Sequence, residues 1–496
     1  MKILEKLEKS NNFWFLLAAL FIFFILRLPS LFEPYWYGDE GVYEAVGLAI
    51  RHGRLLYQGV WDNKPPLLYL LYASLNSDQF WVRFASLIFG IFSVVVFFYL
   101  SKKLFKSFKT SVITTSLFVI FFGLPIIEGN IANSENFMVL PTLLSALILL
   151  HLSAFPKKKE EIKNFVMIFS AGALLGISFL FKIVAVFDFG AFLFFIFFTD
   201  KNLLSHLKEG RYRAFEVKKL FCFVGGFLIF PIFTAFVFLI QKNFIPFIDA
   251  TFFSNIGYVG YGNKFFIPQG LLILKVILLL AFSLFLFLKR KVLGITAVFS
   301  LLWFSFSLFN AFFSQRPYTH YLLVFLPSFI ILLGLIIESK KFRLIYSAFL
   351  LASLILIIKN FNFYANIPGY YGNFLSFELG NESVWSYQNF FDKMTPLDYR
   401  LASYLKENTK PSDFIFTWGN DAQLYKLTDK IPPGRYTVAY HITGTKNGIS
   451  ETSKDLKLKK PKFIIIMPYM QNFPFQLSNY RLKLIIDKAL VYERIF

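Results

Sequence analysis

Apolar residues fill long stretches of this chain, divided by short polar connections. A bilayer crossing needs about 20 apolar residues in a helix. Eleven stretches qualify, near 13–32, 81–101, 110–127, 136–155, 165–181, 183–199, 219–240, 267–288, 292–310, 319–337 and 343–359. With the N-terminus inside, the basic residues fall on alternate connections. These are Lys102/Lys103/Lys106/Lys109, Lys157–Lys159, Lys201 to Lys219, Lys289-Arg290-Lys291 and Lys340/Lys341/Arg343. Together with the N-terminal lysines that side holds about 23 Lys and Arg, against about seven in the short outer loops, the bias expected of cytoplasmic loops. An odd number of spans leaves the C-terminal part outside. The stretch 165–199 is almost unbroken and is divided at Lys182.

The first outer loop, residues 33–80, is polar and patterned. After Gly38-Asp39-Glu40, the positions Val42, Ala45, Val46, Ala49 and Ile50 recur at helical spacing, and Gly53 ends the helix. Trp61-Asp62-Asn63-Lys64-Pro65-Pro66 opens a second short helix, with Pro near a first turn where its missing N–H costs nothing. Two amphipathic helices along a bilayer surface hold Asp39, Glu40 and Lys64 at the interface. Residues 1–359 therefore read as the membrane domain and 360–396, rich in aromatics such as Tyr364, Tyr370, Trp385 and Tyr387, as an interfacial linker. Residues 397–496 read as a small soluble α/β or α+β domain. Its predicted parts are a helix from Leu397 to Asn408, strands over Asp413–Trp418, Lys462–Met467 and Leu490–Ile495, and a turn at Gly419-Asn420-Asp421.

Composition narrows the class. Of 496 residues 56% are hydrophobic and only 16% charged, against about 25% charged in soluble chains. The net charge of +21 comes in short clusters between spans, so it signals topology and not a nucleic-acid surface. Cys222 is the single cysteine, which excludes an intrachain disulfide and a cysteine metal site. The N-terminus has basic residues and a long apolar run without a small-residue cleavage pattern, as in a retained signal anchor.

An Asp-Glu pair after the first span, followed by Lys64-Pro65-Pro66-Leu67, resembles the GT-C superfamily of membrane glycosyltransferases. The similarity is to the branch of the protein O-mannosyltransferases and the lipid A aminoarabinose transferase, and covers roughly residues 13–340. The resemblance implies a GT-C fold and an integral membrane enzyme that moves a sugar from a polyprenyl-phosphate carrier to an extracytoplasmic glycolipid, cell-wall polymer or protein. It makes Asp39 the base, with Glu40 supporting donor or acceptor, and Lys64 a point charge for the carrier phosphate. It adds a second acidic residue between the third and fourth spans, Glu135 ahead of Glu128, and a carrier contact at Lys182. Arg316 and His320, in Arg316-Pro317-Tyr318-Thr319-His320-Tyr321, are candidates to bind the phosphate or protonate the leaving oxygen.

Plainer readings stand beside these. Asp39 is also placed to cap a helix, Lys64 to snorkel at an interface, Glu128 and Glu135 to be solvated loop carboxylates, and His320 to be held by backbone. No cofactor is required, because a phosphate leaves readily. Asp39, Glu128 or Glu135, and His320 would be the ligands of a divalent ion if one were used. Asp188, inside an apolar run, calls for a lysine or tyrosine partner. The glycine-dense stretch Gln241 to Phe266 has the composition of a mobile lid. The alternative activity is a flippase for a lipid-linked sugar. Transporters, however, place ionisable groups near the midplane within inverted repeats, and this chain places its polar residues at one interface.

Overall fold

The computed structural model describes residues 10–154, 161–198, 214–263, 269–363 and 366–495. The N-terminal lysines, Lys157–Lys159, residues 201–213, residues 264–266 of the Gly-rich stretch and Tyr364 lie outside these. Among the described residues eight helices are long and apolar enough to cross a membrane, and three shorter apolar helices, Phe108–Gly123, Ile183–Phe198 and Ile295–Ala311, accompany them. Each of the eleven overlaps a stretch expected from hydropathy, and the chain is a multi-pass membrane protein. The division at Lys182 is real: the helix Glu161–Phe181 ends there, and Lys182 is extended, with φ −157° and ψ 131°.

Packing divides the chain into two compact units. One comprises Met1–Leu28, Ser86–Val237 and Ser254–Ala365; the other comprises Pro29–Ala85, Phe238–Phe253 and Asn366–Phe496. Residues 29–85 thus pack with the C-terminal residues. The first unit is a helix bundle whose spans interlock through small residues. A Cβ on Gly172 would lie 2.1 Å from the Phe223 carbonyl oxygen, so that crossing is open only to glycine. Among the described residues Asp188 meets neither a lysine nor a tyrosine. Its Oδ1 accepts a 2.8 Å hydrogen bond from the Trp303 indole, a neutral donor already within the apolar interior.

In the second unit the helix Gly38–Arg51 carries Asp39 and Glu40 in its first turn and Arg51 in its last, both matched to the helix dipole. Its residues from Glu40 to Ala49 are all buried. The helix Gln423–Thr428 docks on it at Gly41, where a Cβ would meet Gln423 Oε1 at 2.7 Å. The second loop helix is Pro66–Ser74. It starts after the Trp61–Pro65 run, because Lys64 precedes a proline and is biased away from helical backbone. The Gly-rich stretch is helical over Phe244–Ile248, Asp249–Phe253 and Ser254–Gly262. Stacking of Phe238 on Phe247, at 4.5 Å between centroids, and the bond from Asn243 to the Leu56 carbonyl anchor its first part.

The C-terminal residues build a four-stranded sheet from β1 (Ile415–Trp418), β2 (Phe463–Ile466), β3 (Tyr480–Ile486) and β4 (Ala489–Arg494), in the order β1-β2-β4-β3. β1 and β2 are parallel and the other pairs antiparallel. The helix Thr395–Glu407 precedes the sheet, and Gly448–Lys459 leads into β2. β3 was not expected: its Arg481 and Lys483 break the apolar run, and both β1 and β2 are buried where β3 is largely exposed. Residues 366–391 form two helices, Ile367–Glu378 and Val384–Phe391.

One ion network ties this unit together. Arg83, fully buried near the start of the span Gln79–Leu104, pairs with Glu33 at 2.8 Å and with Glu40, its Nε reaching Glu40 Oε1 at 3.0 Å. Its third direction goes to the Ser30 carbonyl at 2.8 Å. Glu33 also accepts from the Tyr370 hydroxyl at 2.6 Å and from the Trp36 indole at 2.7 Å. Removing one partner of a buried pair costs roughly 3–5 kcal/mol, because the other charge is stranded. Arg83→Met should therefore lower the thermal unfolding midpoint of the detergent-purified protein sharply. Adding Glu33→Gln and Glu40→Gln to it should restore part of the loss, and no recovery would show that the charges are not coupled.

Candidate active site

The Asp39 carboxylate lies 3.7 Å from the Lys64 ammonium, with side-chain exposures of 38% and 18%. Tyr43, one helical turn on from Asp39, donates to Asp39 Oδ2 at 3.1 Å, and Lys64 Nζ stands 4.6 Å from the centre of the Tyr43 ring. The helix begins at Gly38, so Asp39 is in the first turn and Tyr37 is at the cap. Successive helical residues are about 100° apart, so Glu40 and Glu44, both buried, face the interior while Asp39 and Tyr43 share another direction. Both Glu44 oxygens lack a hydrogen-bond partner. Burial and the neighbouring Glu40 charge push its pKa well above the carboxylate range, so Glu44 stays protonated.

Lys64 is held by its own backbone. Its carbonyl accepts from the Tyr57 hydroxyl at 2.8 Å, and its N–H donates to the Tyr69 oxygen at 3.1 Å. Tyr69 in turn donates to Asp62 Oδ2 at 2.6 Å. Tyr57 sits at φ +71°, a strained backbone for an aromatic residue, in a tight turn closed by its N–H on the Val60 carbonyl. Asp62 is buried beside His441, whose Nε2 is 3.5 Å from Asp62 Oδ1. The histidine comes from the C-terminal part, on the short helix Ala439–Gly444.

The remaining candidates meet in the other unit. Lys182 is ion-paired with Glu135, and its ammonium lies 4.2 Å from the centre of the Tyr321 ring. Glu128 accepts from the Thr319 hydroxyl at 2.6 Å and pairs with His320 Nδ1 at 2.9 Å. Loop 124–133 and the ends of three apolar helices therefore supply one polar cluster. Arg316 is half-buried on the approach to it in sequence. Both acidic candidates are thus engaged rather than solvated, Glu135 with the Lys182 ammonium and Glu128 with the His320 ring and the Thr319 hydroxyl. Among the described residues no group of three His, Cys, Asp or Glu side chains is disposed to hold a metal ion.

Hydropathy and motif reading missed Arg83, Glu33, Asp62 and His441. An arginine two residues into an apolar stretch is itself a signal, since an ionisable group there needs a partner. Asp62 lay within the Lys-Pro-Pro run. Nothing local marks His441, which depends on a pairing nearly four hundred positions long.

Residues 56–251 match the family model described as dolichyl-phosphate-mannose-protein mannosyltransferase. No curated protein matches the chain by sequence. Among solved structures it is similar to ArnT from Cupriavidus metallidurans bound to undecaprenyl phosphate. Identity is 12%, coverage 97% of this chain and 98% of that one, and the TM-score 0.54. The Archaeoglobus fulgidus oligosaccharyltransferase in the apo form is also similar, with 13% identity, coverage of 92% and 69%, and a TM-score of 0.48. The fold is that of the GT-C glycosyltransferases. Residues 56–251 thus resemble the dolichyl-phosphate-mannose-protein mannosyltransferases, and the chain as a whole resembles ArnT in fold.

Burial lowers the His441 pKa from 6.5 to about 4; Asp62 and Asp39 oppose that shift and Lys64 adds to it. Unfolded chains take up this proton below pH 6.5 while the folded protein refuses it until about pH 4. The contribution is therefore full above pH 6.5 and lost as pH falls through that window. Burial raises Asp421 to about 6, and Asp398 upward too, which gives slopes of the opposite sign over part of the same range. The histidine is isolated by difference. The thermal midpoint of wild type minus that of His441→Gln should be constant above pH 6.5 and shrink steadily toward pH 4. A difference that is flat across pH 4–7 would refute the assignment.

Proposed function

We propose that this protein transfers a sugar from a polyprenyl-phosphate carrier to an acceptor nucleophile on the extracytoplasmic side of the cytoplasmic membrane. One observation carries the reading. Of the five carboxylates from Glu33 to Asp62, four are buried and Asp39 alone is substantially exposed, beside a lysine. A base must reach its proton, so Asp39 is the group able to act. The match to a dolichyl-phosphate-mannose enzyme family and the undecaprenyl phosphate in ArnT support the carrier as donor.

In this reading the Asp39 carboxylate takes the proton of the acceptor hydroxyl or amine. The acceptor atom bonds to the anomeric carbon while the carbon–oxygen bond to the phosphate breaks. Polyprenyl phosphate leaves with the bonding pair, and Lys64 meets the charge that develops on it. A single displacement inverts the anomeric centre. Glu40 does not react; it orients the helix through Arg83. In the other unit, Lys182, Arg316 and His320 are candidates in their own right to bind a phosphate, with Glu135 and Glu128 holding the first and third in place. The excess of basic residues on alternate loops supports a cytoplasmic N-terminus, with the first outer loop and the C-terminal domain outside.

The test is transfer of labelled sugar from a panel of undecaprenyl-phosphate hexoses and pentoses by the reconstituted protein. General base catalysis is worth about 10²–10⁴-fold, so Asp39→Asn should reduce turnover by that factor with the thermal midpoint retained. Lys64→Met should cost about 10²-fold. Undiminished turnover in Asp39→Asn would remove it as the base. Passage of a lipid-linked sugar across liposomes, with no donor consumed, would replace the transferase by a flippase.

A further inference from the structure

The Trp61–Pro65 run does not hold its shape alone. The Trp61 N–H donates to the Arg435 carbonyl at 2.8 Å, and Arg54 donates to the Gly434 carbonyl at 2.7 Å. The Trp61 ring meets the His441 ring edge-on, with centroids 4.9 Å apart. Residues 434–441 therefore lie along the run that carries Lys64. At its centre is Asp62, a buried carboxylate whose one ion-pair contact among the described residues is His441 Nε2 at 3.5 Å. An isolated buried carboxylate is costly, so its position depends on this neighbour together with the donors from Tyr69 and the Asn63 N–H.

We propose that His441 is a positioning residue for Lys64: it holds Asp62, Asp62 holds Tyr69, and Tyr69 holds the Lys64 backbone, so that the C-terminal domain completes the active site. This rests on the reading of Lys64 as the carrier-phosphate contact. The chain of contacts is specific. Tyr69 donates its proton to Asp62 and so turns an oxygen lone pair to the Lys64 N–H. A residue serving only to fill space would be apolar. His441 instead buries two nitrogens, with Nδ1 lacking a hydrogen-bond partner and Nε2 toward Asp62. Burial keeps the imidazole neutral, and a neutral ring with its proton on Nε2 would direct it toward the carboxylate 3.5 Å away.

The experiment is equilibrium binding of undecaprenyl phosphate to the full-length protein in nanodiscs, with thermal midpoints recorded for each variant. His441→Ala should raise Kd about tenfold, a coupling normal for groups acting through shared contacts. His441→Gln, which keeps a donor near the Nε2 position, should bind as wild type. His441→Leu fills the ring volume without nitrogens and should weaken binding as His441→Ala does, so a folding failure of the alanine variant leaves the test intact. In a Lys64→Met background, His441→Ala should weaken binding no further. Additive losses in the double variant, or wild-type binding by both His441→Ala and His441→Leu, would overturn the positioning role while leaving Lys64 as the phosphate contact. Unchanged binding by Lys64→Met would instead overturn the reading of Lys64, and the positioning role with it.

Discussion

The start of the Gly38–Arg51 helix depends on burying one arginine. A guanidinium taken from water into an apolar helix start is stable only with its charge and donors met. Arg83 meets them with Glu33, Glu40 and the Ser30 carbonyl, residues from the chain that leaves the first span. The two carboxylates in turn need the arginine. That mutual need fixes the start of the Gly38–Arg51 helix in rotation as well as in place. With Glu40 pulled inward, helical geometry turns Asp39 elsewhere, and the protonated Glu44 on the Glu40 face adds no opposing charge. Asp39, the proposed base, is exposed because its neighbour is not.

Much of this architecture is legible in the residues. Apolar runs of bilayer length cannot be anything but spans in a chain so poor in charge, and Lys182 breaks the longest of them because an ammonium ends an apolar helix. The Asp39-Glu40 pair and Lys64 were readable as one site, and the structure does bring Asp39 and Lys64 together. Other features were hidden by their physics. Asp39 reads as a cap from its position alone, yet Tyr37 takes that place. Glu135 and Lys182 look like separate loop charges, forty-seven positions apart, and become a pair only when their helices pack. The Asp188 partner, expected to be a lysine or a tyrosine, is instead the Trp303 indole, a donor on a side chain that counts as apolar in a reading of hydropathy. Strand β3 shows little apolar alternation because none of its residues is buried on either face.

The same distinction explains why His441 escaped a reading of sequence while Asp62 nearly did not. Asp62 has a motif around it, whereas His441 has meaning only through a contact between distant segments. Burial turns such contacts into strong constraints, since a carboxylate and an imidazole shielded from water cannot exchange one another for solvent. Local pattern reports helices and spans because those follow from neighbours in the chain. It is silent about polar pairs that satisfy one another across the fold.

These two constraints act on the site from opposite ends of the first loop. Arg83 fixes the helix that carries Asp39, and the Asp62–His441 contact fixes the run that carries Lys64. Each anchor is buried, while the two groups they present are partly open to solvent and 3.7 Å apart. Rate enhancement from such a pair requires that the protein need not reorganise when charge develops. A lysine on a free loop would spend binding energy on being ordered. Here its backbone is bonded on both sides, by Tyr57 and Tyr69, and only its flexible stem remains to adjust. At 3.7 Å the ammonium and the carboxylate stand beyond direct hydrogen-bond distance. Rigid anchors with a loosely coupled reactive pair are what a displacement needs when its base must release one partner to accept a proton from another.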